Sequence, residues 1–231
     1  MKMILTPYLR NMIKRFGFGL IIMVFFSSCF EVVEDITFKK DGSGKLKLIL
    51  NLSESKNELN SLTKLDSSSG YRIPSESDIN YYLDQAVRAL KTSEGISRVE
   101  LKRDFTNWLF ELNLEFKKAD DLQAGLKNLY SDFSGKDNFV FRNIVIFDGK
   151  KFERDMQQPE KEVQERLNRP TEKRIFSKAR YTSIYRFETP ISTYSNKKAK
   201  LSPTRKAIMF QGNILNLING KETIQNTILL N

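Results

Sequence analysis

The single cysteine of this chain and the apolar run before it restrict what the rest of the sequence can fold into. Cys29 follows an apolar stretch from Phe16 to Phe26, and basic residues precede that stretch at Arg10, Lys14 and Arg15. A basic segment, an apolar segment and small residues in this order are typical of an export signal rather than of a folded element. The apolar stretch is also too short for a membrane span, which takes about 20 residues. The chain after Cys29 must therefore fold without a disulfide, by packing alone.

The sequence Ser27-Ser28-Cys29 resembles the lipobox of bacterial lipoproteins, in which the cysteine thiol is alkylated with diacylglycerol and the chain is cut just before it. Phe26 stands where the lipobox usually has leucine, a departure common in the lipoproteins of Bacteroidota, which this sequence resembles. The alternative, a buried free cysteine, fits a thiol at the end of an export segment poorly. The sequence thus predicts a signal peptide at residues 1–28 and lipidation of Cys29.

The residues just after the cysteine bear on where such a protein is sorted. Phe30 is not the aspartate that retains some lipoproteins in the inner membrane. Glu31, Glu34 and Asp35 loosely resemble the acidic surface-export signal of Bacteroidota lipoproteins, although their spacing departs from it. We therefore expect a lipid-anchored protein of the cell envelope, with the outer membrane favoured and its face left open. Several acyl chains on one residue hold a protein on a membrane nearly irreversibly.

Histidine is absent from the whole sequence, which excludes several kinds of active site. Histidine is the commonest general base and the commonest metal ligand, so serine–histidine, cysteine–histidine and histidine–zinc chemistry are all ruled out. The segment Asp41-Gly42-Ser43-Gly44 is glycine-rich, but it precedes a strand and lacks the Gly-Lys-Ser/Thr ending of a phosphate loop. A hairpin turn is favoured there. The sequence predicts no catalytic residue, no metal ligand and no cofactor.

Basic residues are concentrated in the C-terminal half. Between Lys150 and Lys206 there are 16 Lys and Arg against 7 Asp and Glu, whereas residues 29–149 carry 17 against 20. Such asymmetry indicates an anionic partner, or simply a solvated basic surface. Nucleic acid is not expected, because an exported protein rarely meets it. Anionic lipid headgroups, glycans or a neighbouring envelope protein are the partners that the sequence favours.

Strand and hairpin signals dominate the chain after Cys29. Residues 31–38 have a strand-like composition, Leu46, Leu48 and Leu50 alternate with polar residues, and Asp-Gly pairs at 41–42 and 148–149 predict tight turns. The same signals predict further strands at residues 96–105, 108–116, 138–147, 150–155, 180–191, 206–210 and 223–231.

Two helices are also indicated. The first follows Pro74, where Ser75 and Asp78 form a capping box, and it ends at Gly95. Its apolar stripe, which we expect to pack on a sheet, contains Ile79, Tyr82, Leu83, Ala86, Val87 and Leu90. The second covers residues 119–130, with Asp120 and Asp121 near its positive end. Shorter helices are predicted after residue 53 and at residues 213–218.

These elements together predict an α+β fold. We expect a largely antiparallel, curved β-sheet of hairpins with two main amphipathic helices packed on one face. The prediction is a single domain over residues 29–231. The polar segment at about residues 156–178 is predicted to be an exposed excursion from it.

A set of aromatic residues could line a lipid cavity, but ordinary core is the favoured interpretation. The set is Trp108, Phe110, Phe116, Tyr130, Phe133, Phe139 and Phe141.

The order of motifs after Cys29 resembles a known family. Lys40-Asp41-Gly42-Ser43-Gly44 opens a strand that ends in Asn51-Leu52-Ser53, and Tyr185-Arg186-Phe187 and Ser195-Asn196 to Leu201-Ser202 follow further on. This sequence resembles the uncharacterised LppM-like envelope lipoproteins, most specifically around Asp41 to Ser53. The resemblance implies an α+β domain whose curved sheet is similar to lipid-binding folds, and an apolar-ligand or glycolipid role. It carries over no catalytic residue, and residues 227–231 are too short to be the C-terminal membrane helix associated with that family.

Two functional hypotheses follow. The favoured one is a non-enzymatic envelope lipoprotein that binds an apolar or anionic ligand or a partner protein. The alternative is a carboxylate-dependent hydrolase that acts on envelope glycans or lipids; it would need two facing carboxylates in a cleft.

Overall fold

The computed structural model of the protein describes residues 30–63, 67–68, 71–72, 74–134, 145–156, 158–159 and 161–231. Its strands are β1 (Glu31–Phe38), β2 (Gly44–Asn51), β3 (Ser67–Ser68), β4 (Tyr71–Arg72), β5 (Ile96–Asp104), β6 (Leu109–Phe116), β7 (Val145–Phe147), β8 (Lys151–Arg154), β9 (Arg180–Phe187), β10 (Ile191–Tyr194), β11 (Lys200–Leu201), β12 (Ala207–Asn213) and β13 (Asn226–Leu230). Its helices are α1 (Lys56–Leu62), α2 (Glu76–Thr92), α3 (Ala119–Ser134), α4 (Lys161–Leu167), α5 (Pro170–Phe176) and α6 (Ile214–Ile218).

Most strands belong to two sheets. The seven-stranded sheet, here called the large sheet, has the order β11-β12-β9-β1-β2-β6-β5, and the four-stranded small sheet has the order β10-β13-β8-β7. Pairing is antiparallel except between β1 and β9, which run parallel. The predicted α+β class with a largely antiparallel sheet is confirmed. The parallel pair and the separate small sheet were not predicted, because both join segments that are far apart in the sequence.

One face of the large sheet is covered by a second layer. Helices α2 and α3 contact β5, and α3 also contacts β7 at the edge of the small sheet. One hydrophobic core includes Ile36 and Leu46 from the large sheet, Leu90 from α2, Leu122 from α3 and Ile228 from the small sheet. The second layer is therefore half helical and half β-sheet, and the two predicted amphipathic helices form the helical half.

The two ends of the large sheet are named here after residues of the N-terminal strand. At the Phe38 end, Phe38 of β1 is paired with Gly44 of β2 and Phe187 of β9. At the Phe30 end, Glu31 is paired with Asn51 and Arg180. The segment that begins with Phe30 thus enters the sheet directly, between two partner strands.

Phenylalanines fill the core at the Phe38 end. The ring of Phe38 is fully buried, and its centroid lies 4.7 Å from Phe147 and 5.4 Å from Phe152 of the small sheet. It also lies 5.5 Å from Phe116 and 5.8 Å from Phe187 of the large sheet. This cluster joins the two sheets by apolar packing.

A second, smaller core lies at the Phe30 end. Leu167, Ala179, Ile214 and Ile218 are buried there, with Phe30 and Phe176 packed against them. The rings of Phe30 and Phe176 meet edge to face at 5.5 Å. The segment predicted as an exposed excursion is therefore only partly exposed. Its helices α4 and α5 turn a few apolar side chains inward and leave charged residues such as Arg166 and Lys173 exposed.

Helix α2 begins as the sequence predicts, with one correction along its stripe. The side chain of Ser75 accepts a hydrogen bond from the Asp78 backbone N–H at 3.2 Å, and Asp78 accepts one from the Ser75 N–H at 2.9 Å. Leu90 is fully buried, but Tyr82 is 52% exposed rather than packed. Helix α2 lies over β5, and among the described strands none of the large sheet lies beyond β5.

The turn between β5 and β6 contains Trp108, which the sequence placed at the start of a strand. Its backbone has a φ of +53°, a conformation that is strained for a bulky residue. The indole is buried at 2% exposure, and its Nε1 donates to Asn60 Oδ1 of α1 at 2.6 Å.

Within the described residues, no helix is long and apolar enough to cross a membrane.

Candidate functional site

The most connected group of buried polar side chains lies between the two sheets. Arg154 of β8 donates from Nη2 to Glu34 Oε2 of β1 at 2.7 Å. Tyr181 and Tyr185 of β9 donate to the same carboxylate at 3.0 and 3.1 Å. The Arg154 side chain is 1% exposed and that of Glu34 is 11% exposed. These four residues, the buried polar cluster, join the small sheet to the large one by charge.

Burial and neighbouring charges fix the protonation of three members of this cluster, Arg154, Tyr181 and Tyr185. Burial alone would lower the pKa of Arg154, but attraction to Glu34 and the tyrosine oxygens outweighs it and raises the pKa. Burial, and then the Glu34 carboxylate, raise the pKa of Tyr181 well above its ordinary value. Burial also raises the pKa of Tyr185. The arginine therefore stays charged and both tyrosines stay protonated as donors, which suits a structural joint better than acid–base chemistry.

The open face of the large sheet carries a lattice of ion pairs. Lys47 and Lys102 both reach Glu111, at 2.9 and 3.3 Å, and Lys45 and Arg98 both reach Glu115, at 2.9 and 3.0 Å. Alternate residues of neighbouring strands bring these charges side by side.

Hydrogen bonds lower the pKa of two carboxylates on this face, those of Glu111 and Glu115. The side-chain amide of Asn113 and then the ammonium of Lys47 lower the pKa of Glu111 to about 2. Beside these pairs runs a groove of about 440 Å³ that is open to solvent, lined among others by Asp35, Asn113 and Arg186. Arg186 makes a double hydrogen bond to Asp35 at 2.9 to 3.1 Å. Carboxylates that are satisfied in this way are poor candidates for a nucleophile or a general acid.

A smaller cleft of about 190 Å³ lies at the Phe38 end, where three loops meet. Two of its acidic residues, Asp41 and Asp148, are engaged in turns. The hydroxyl and then the backbone N–H of Ser43 lower the pKa of Asp41, and the backbone N–H groups of Lys151 and Lys150 lower that of Asp148. Asp41-Gly42 is thus a hairpin turn, with Gly42 at a φ of +83°, and not a phosphate loop. Within the described residues, no group of three or more Asp, Glu or Cys side chains is placed to hold a metal ion.

The predicted aromatic set divides between core residues and residues that the structure does not describe. Trp108, Phe110 and Phe116 are buried, which confirms the core interpretation for these three. The side chains of Tyr130 and Phe133, together with residues 139 and 141, lie outside what the structure describes.

Cys29, the predicted lipidation site, also lies outside the described residues, but its neighbour does not. The carbonyl of Phe30 accepts a hydrogen bond from the Arg180 N–H at 2.9 Å, and β1 begins at the next residue. Phe30 is thus bonded to the sheet and packed on Phe176. Any group carried by Cys29 would emerge at the Phe30 end of the large sheet.

The basic excess between Lys150 and Lys206 does not form one surface. Arg154 is buried with Glu34, and Arg186 is paired with Asp35. Arg166, Arg169 and Lys173 are exposed on α4 and α5 or in the loop between them, at the Phe30 end. Three more, Lys150, Arg205 and Lys206, are exposed at the Phe38 end. The exposed cations of this segment therefore form two groups, one at each end of the large sheet, which the net charge of the segment does not reveal.

Comparison with solved structures finds a likeness of fold. No family model matches the chain, and no curated protein matches it. The chain is similar to the folded domain of LppM from Mycobacterium tuberculosis, solved by NMR, with a TM-score of 0.45 and 10% sequence identity. The match covers 87% of this chain and 89% of that one. Identity this low leaves the chemistry to be read from this chain's own residues.

Sequence reasoning missed the grouping at the Phe30 end. It assigned Tyr82 to the packed stripe and did not consider Tyr81, which lies about 100° further round the helix. Both tyrosines are exposed, with ring centroids 5.7 Å apart. The adjacent tyrosines at positions 81 and 82 were the signal in the sequence that could have indicated an exposed aromatic pair.

Proposed function

We propose that this protein is a lipid-anchored protein of the cell envelope that acts by binding rather than by catalysis. The observation that carries the proposal is the export signal that ends in Cys29, followed after a single residue by the central strand β1. One extended residue spans about 3.5 Å at most. Lipid on Cys29 would therefore hold the folded domain against the bilayer with almost no linker.

The position of β1 makes that anchor mechanically firm. It is hydrogen-bonded to β2 on one side and to β9 on the other over its whole length. A tether attached to a central strand cannot fray away from the domain as a terminal tail would. The protein would thus keep a set orientation on the membrane and present the same surfaces to its partners.

The polar groups of the domain support binding over catalysis. In the buried polar cluster, Arg154 stays charged and Tyr181 and Tyr185 stay protonated. On the open sheet face, neighbouring cations and an amide lower the pKa of Glu111 and Glu115. The partners we propose are anionic lipids or glycans of the envelope, or another envelope protein, with the outer membrane as the favoured location.

The test of the anchor is the variant Cys29→Ala, expressed in a host that processes bacterial lipoproteins. Ser28→Ala, which changes the neighbouring residue and keeps the thiol, is the matched control. We expect the control and the unmodified chain to be processed and to resist carbonate extraction from membranes. The variant Cys29→Ala should remain unprocessed or wash off. A processed Cys29→Ala protein that stays on the membrane would contradict the proposal, and fractionation with the inner membrane would contradict the location.

A further inference from the structure

Exposed apolar side chains gather at the Phe30 end of the large sheet. Among the described residues, five large hydrophobic side chains are exposed, and three of them are Tyr81 at 58%, Tyr82 at 52% and Leu109 at 38%. Leu109 is paired with Asn51, the last residue of β2, which places it at this end. Tyrosines are favoured at membrane interfaces, because the ring is apolar and its hydroxyl stays in the polar layer.

Strand pairing fixes the height of Tyr81 above that end. Arg103 of β5 donates to Asn80 Oδ1 at 3.2 Å and also bonds Asp84, so this part of α2 lies beside Arg103. Across the sheet, the residues level with Arg103 are Phe110, Leu50 and Val32. Tyr81 is therefore level with a residue only two positions beyond Phe30. Two strand residues rise about 7 Å, comparable to the depth of the headgroup layer of a bilayer.

Basic residues lie across the anchor from the tyrosines. Residues 161–180 carry seven Lys and Arg against three Asp and Glu. The exposed ones include Arg166, Arg169 and Lys173, on elements that pack beside Phe30 and β9. Strand β9 is four strands away from β5, the strand under α2, which is about 19 Å at the usual spacing. The residue that follows the predicted lipid site lies between these two groups.

We infer that the Phe30 end is a membrane-docking face, in which Tyr81, Tyr82 and Leu109 enter the interface on one side of the anchor while Arg166, Arg169 and Lys173 meet anionic headgroups on the other. This inference rests on the proposed lipidation of Cys29. The occupant is an anionic bilayer because the anchor, the apolar group and the cations all lie at one end of the sheet. Each cation close to an anionic bilayer strengthens association about fivefold. The lipid keeps the domain on the surface, and this face sets its tilt.

The experiment uses the full lipidated chain in vesicles. Cys29 is the only cysteine, and its thiol is occupied by lipid, so an introduced cysteine would be the only free thiol. A nitroxide is attached to Tyr81→Cys or, as the control at the opposite end, to Lys206→Cys. Collision of the label with a water-soluble nickel chelate and with oxygen, which partitions into lipid, is measured in phosphatidylcholine vesicles with and without phosphatidylglycerol.

We expect the label at position 81 to lose nickel access several-fold relative to the label at 206 and to keep or gain oxygen access in the anionic vesicles. Equal nickel access at both positions would overturn the docking face. Loss of both nickel and oxygen access at position 81 would also overturn it, in favour of contact with protein.

Two charge variants test the basic group in the Tyr81→Cys background. One is Arg166→Glu/Arg169→Glu/Lys173→Glu, and the control makes the same change in charge at the Phe38 end with Lys39→Glu/Lys117→Glu/Lys206→Glu. The first should restore nickel access at position 81 and the second should not. Equal effects of the two variants, or no effect of either, would overturn the role of the basic group. Failure of the unmodified protein to float with vesicles would instead contradict lipidation, so the two proposals fail separately.

Discussion

The two sheets of this protein are joined in two chemically different ways. At the Phe38 end the joint is apolar: Phe147 and Phe152 of the small sheet pack on Phe38 and Phe187 of the large one. Nearer the Phe30 end the joint is charged, because Arg154 reaches across to Glu34. An apolar joint gains stability from the area it buries, whereas a buried ion pair gains little net stability and instead restricts how the sheets can register.

This difference parallels the division of the exposed groups. The Phe38 end is closed by tight turns over a phenylalanine cluster, while the Phe30 end has a small core and exposed tyrosines. Exposed cations occur at both ends. Because apolar packing at the Phe38 end stabilises the fold, the Phe30 end can expose apolar side chains that lower stability but can bind a partner. The comparison therefore predicts that equal changes have unequal effects at the two ends.

The largest expected effect is that of Phe38→Ala. Because the ring is fully buried among four others, its loss should lower the free energy of unfolding by about 4–5 kcal/mol. Phe176→Ala, at the half-buried edge of the small core, should cost only about 1–2 kcal/mol. Urea unfolding followed by the fluorescence of Trp108 measures both. Equal losses would remove the distinction between the two ends.

The next effect concerns the charged joint. Arg154→Met should cost about 3–4 kcal/mol, because it leaves the Glu34 carboxylate buried without its cation. The double variant Glu34→Met/Arg154→Met should recover most of that loss, since it buries no uncompensated charge. The same urea unfolding experiment measures the free energy of unfolding of the single and the double variant. A double variant as unstable as the single one would mean that the ion pair itself stabilises the fold.

A smaller effect is expected at the start of α2, which carries the exposed tyrosines. Ser75→Ala removes the acceptor for the Asp78 N–H and should cost about 1 kcal/mol. Hydrogen exchange should show faster opening of the first turns of α2 and leave β1 and β2 unchanged. Ser97→Ala, an exposed position on β5 away from the cap, serves as the control. An equal effect of both changes would argue against the capping box.

The smallest effect is that of Glu111→Gln on the open sheet face, about 1 kcal/mol or less at pH 7. Because the folded pKa of Glu111 is lowered to about 2, its contribution is present above its ordinary pKa of 4.5 and is lost as the pH falls towards 2. The unmodified chain and Glu111→Gln should therefore converge in stability near pH 2. A constant difference between the unmodified chain and Glu111→Gln from pH 7 to pH 2 would contradict the ion-pair lattice.

Local features of this fold could be predicted from the sequence because their causes are local. The alternation of Leu46, Leu48 and Leu50, the Asp-Gly turn after Lys40 and the capping box at Ser75 each involve residues within one turn or one strand. The presence of β1, β2 and α2 followed from them, although β2 begins at Gly44 rather than at Leu46. Cys29 was likewise predicted from its immediate neighbours, and its lipidation stays a prediction.

The rest depended on contacts between distant segments. Parallel pairing of β1 with β9 and the reach of Arg154 to Glu34 join residues more than a hundred positions apart, and no local pattern specifies them. Leu167 and Phe176 looked like isolated apolar residues in a polar segment, because their partners Ile214 and Ile218 lie on another helix. The docking face could be seen only after strand pairing had placed its parts at one end.

The most direct test of the account is the mass of the N-terminal tryptic peptide of the mature protein. Attachment of lipid next to Phe30 predicts a peptide of residues 29–39 that carries diacylglycerol on Cys29. An unprocessed chain would give the peptide of residues 16–39 with an unmodified thiol, because Arg15 is the preceding cleavage site. Detection of the lipidated peptide would establish the anchor at the Phe30 end. Detection of the unmodified longer peptide, without the lipidated one, would contradict both the proposed function and the docking face that rests on it.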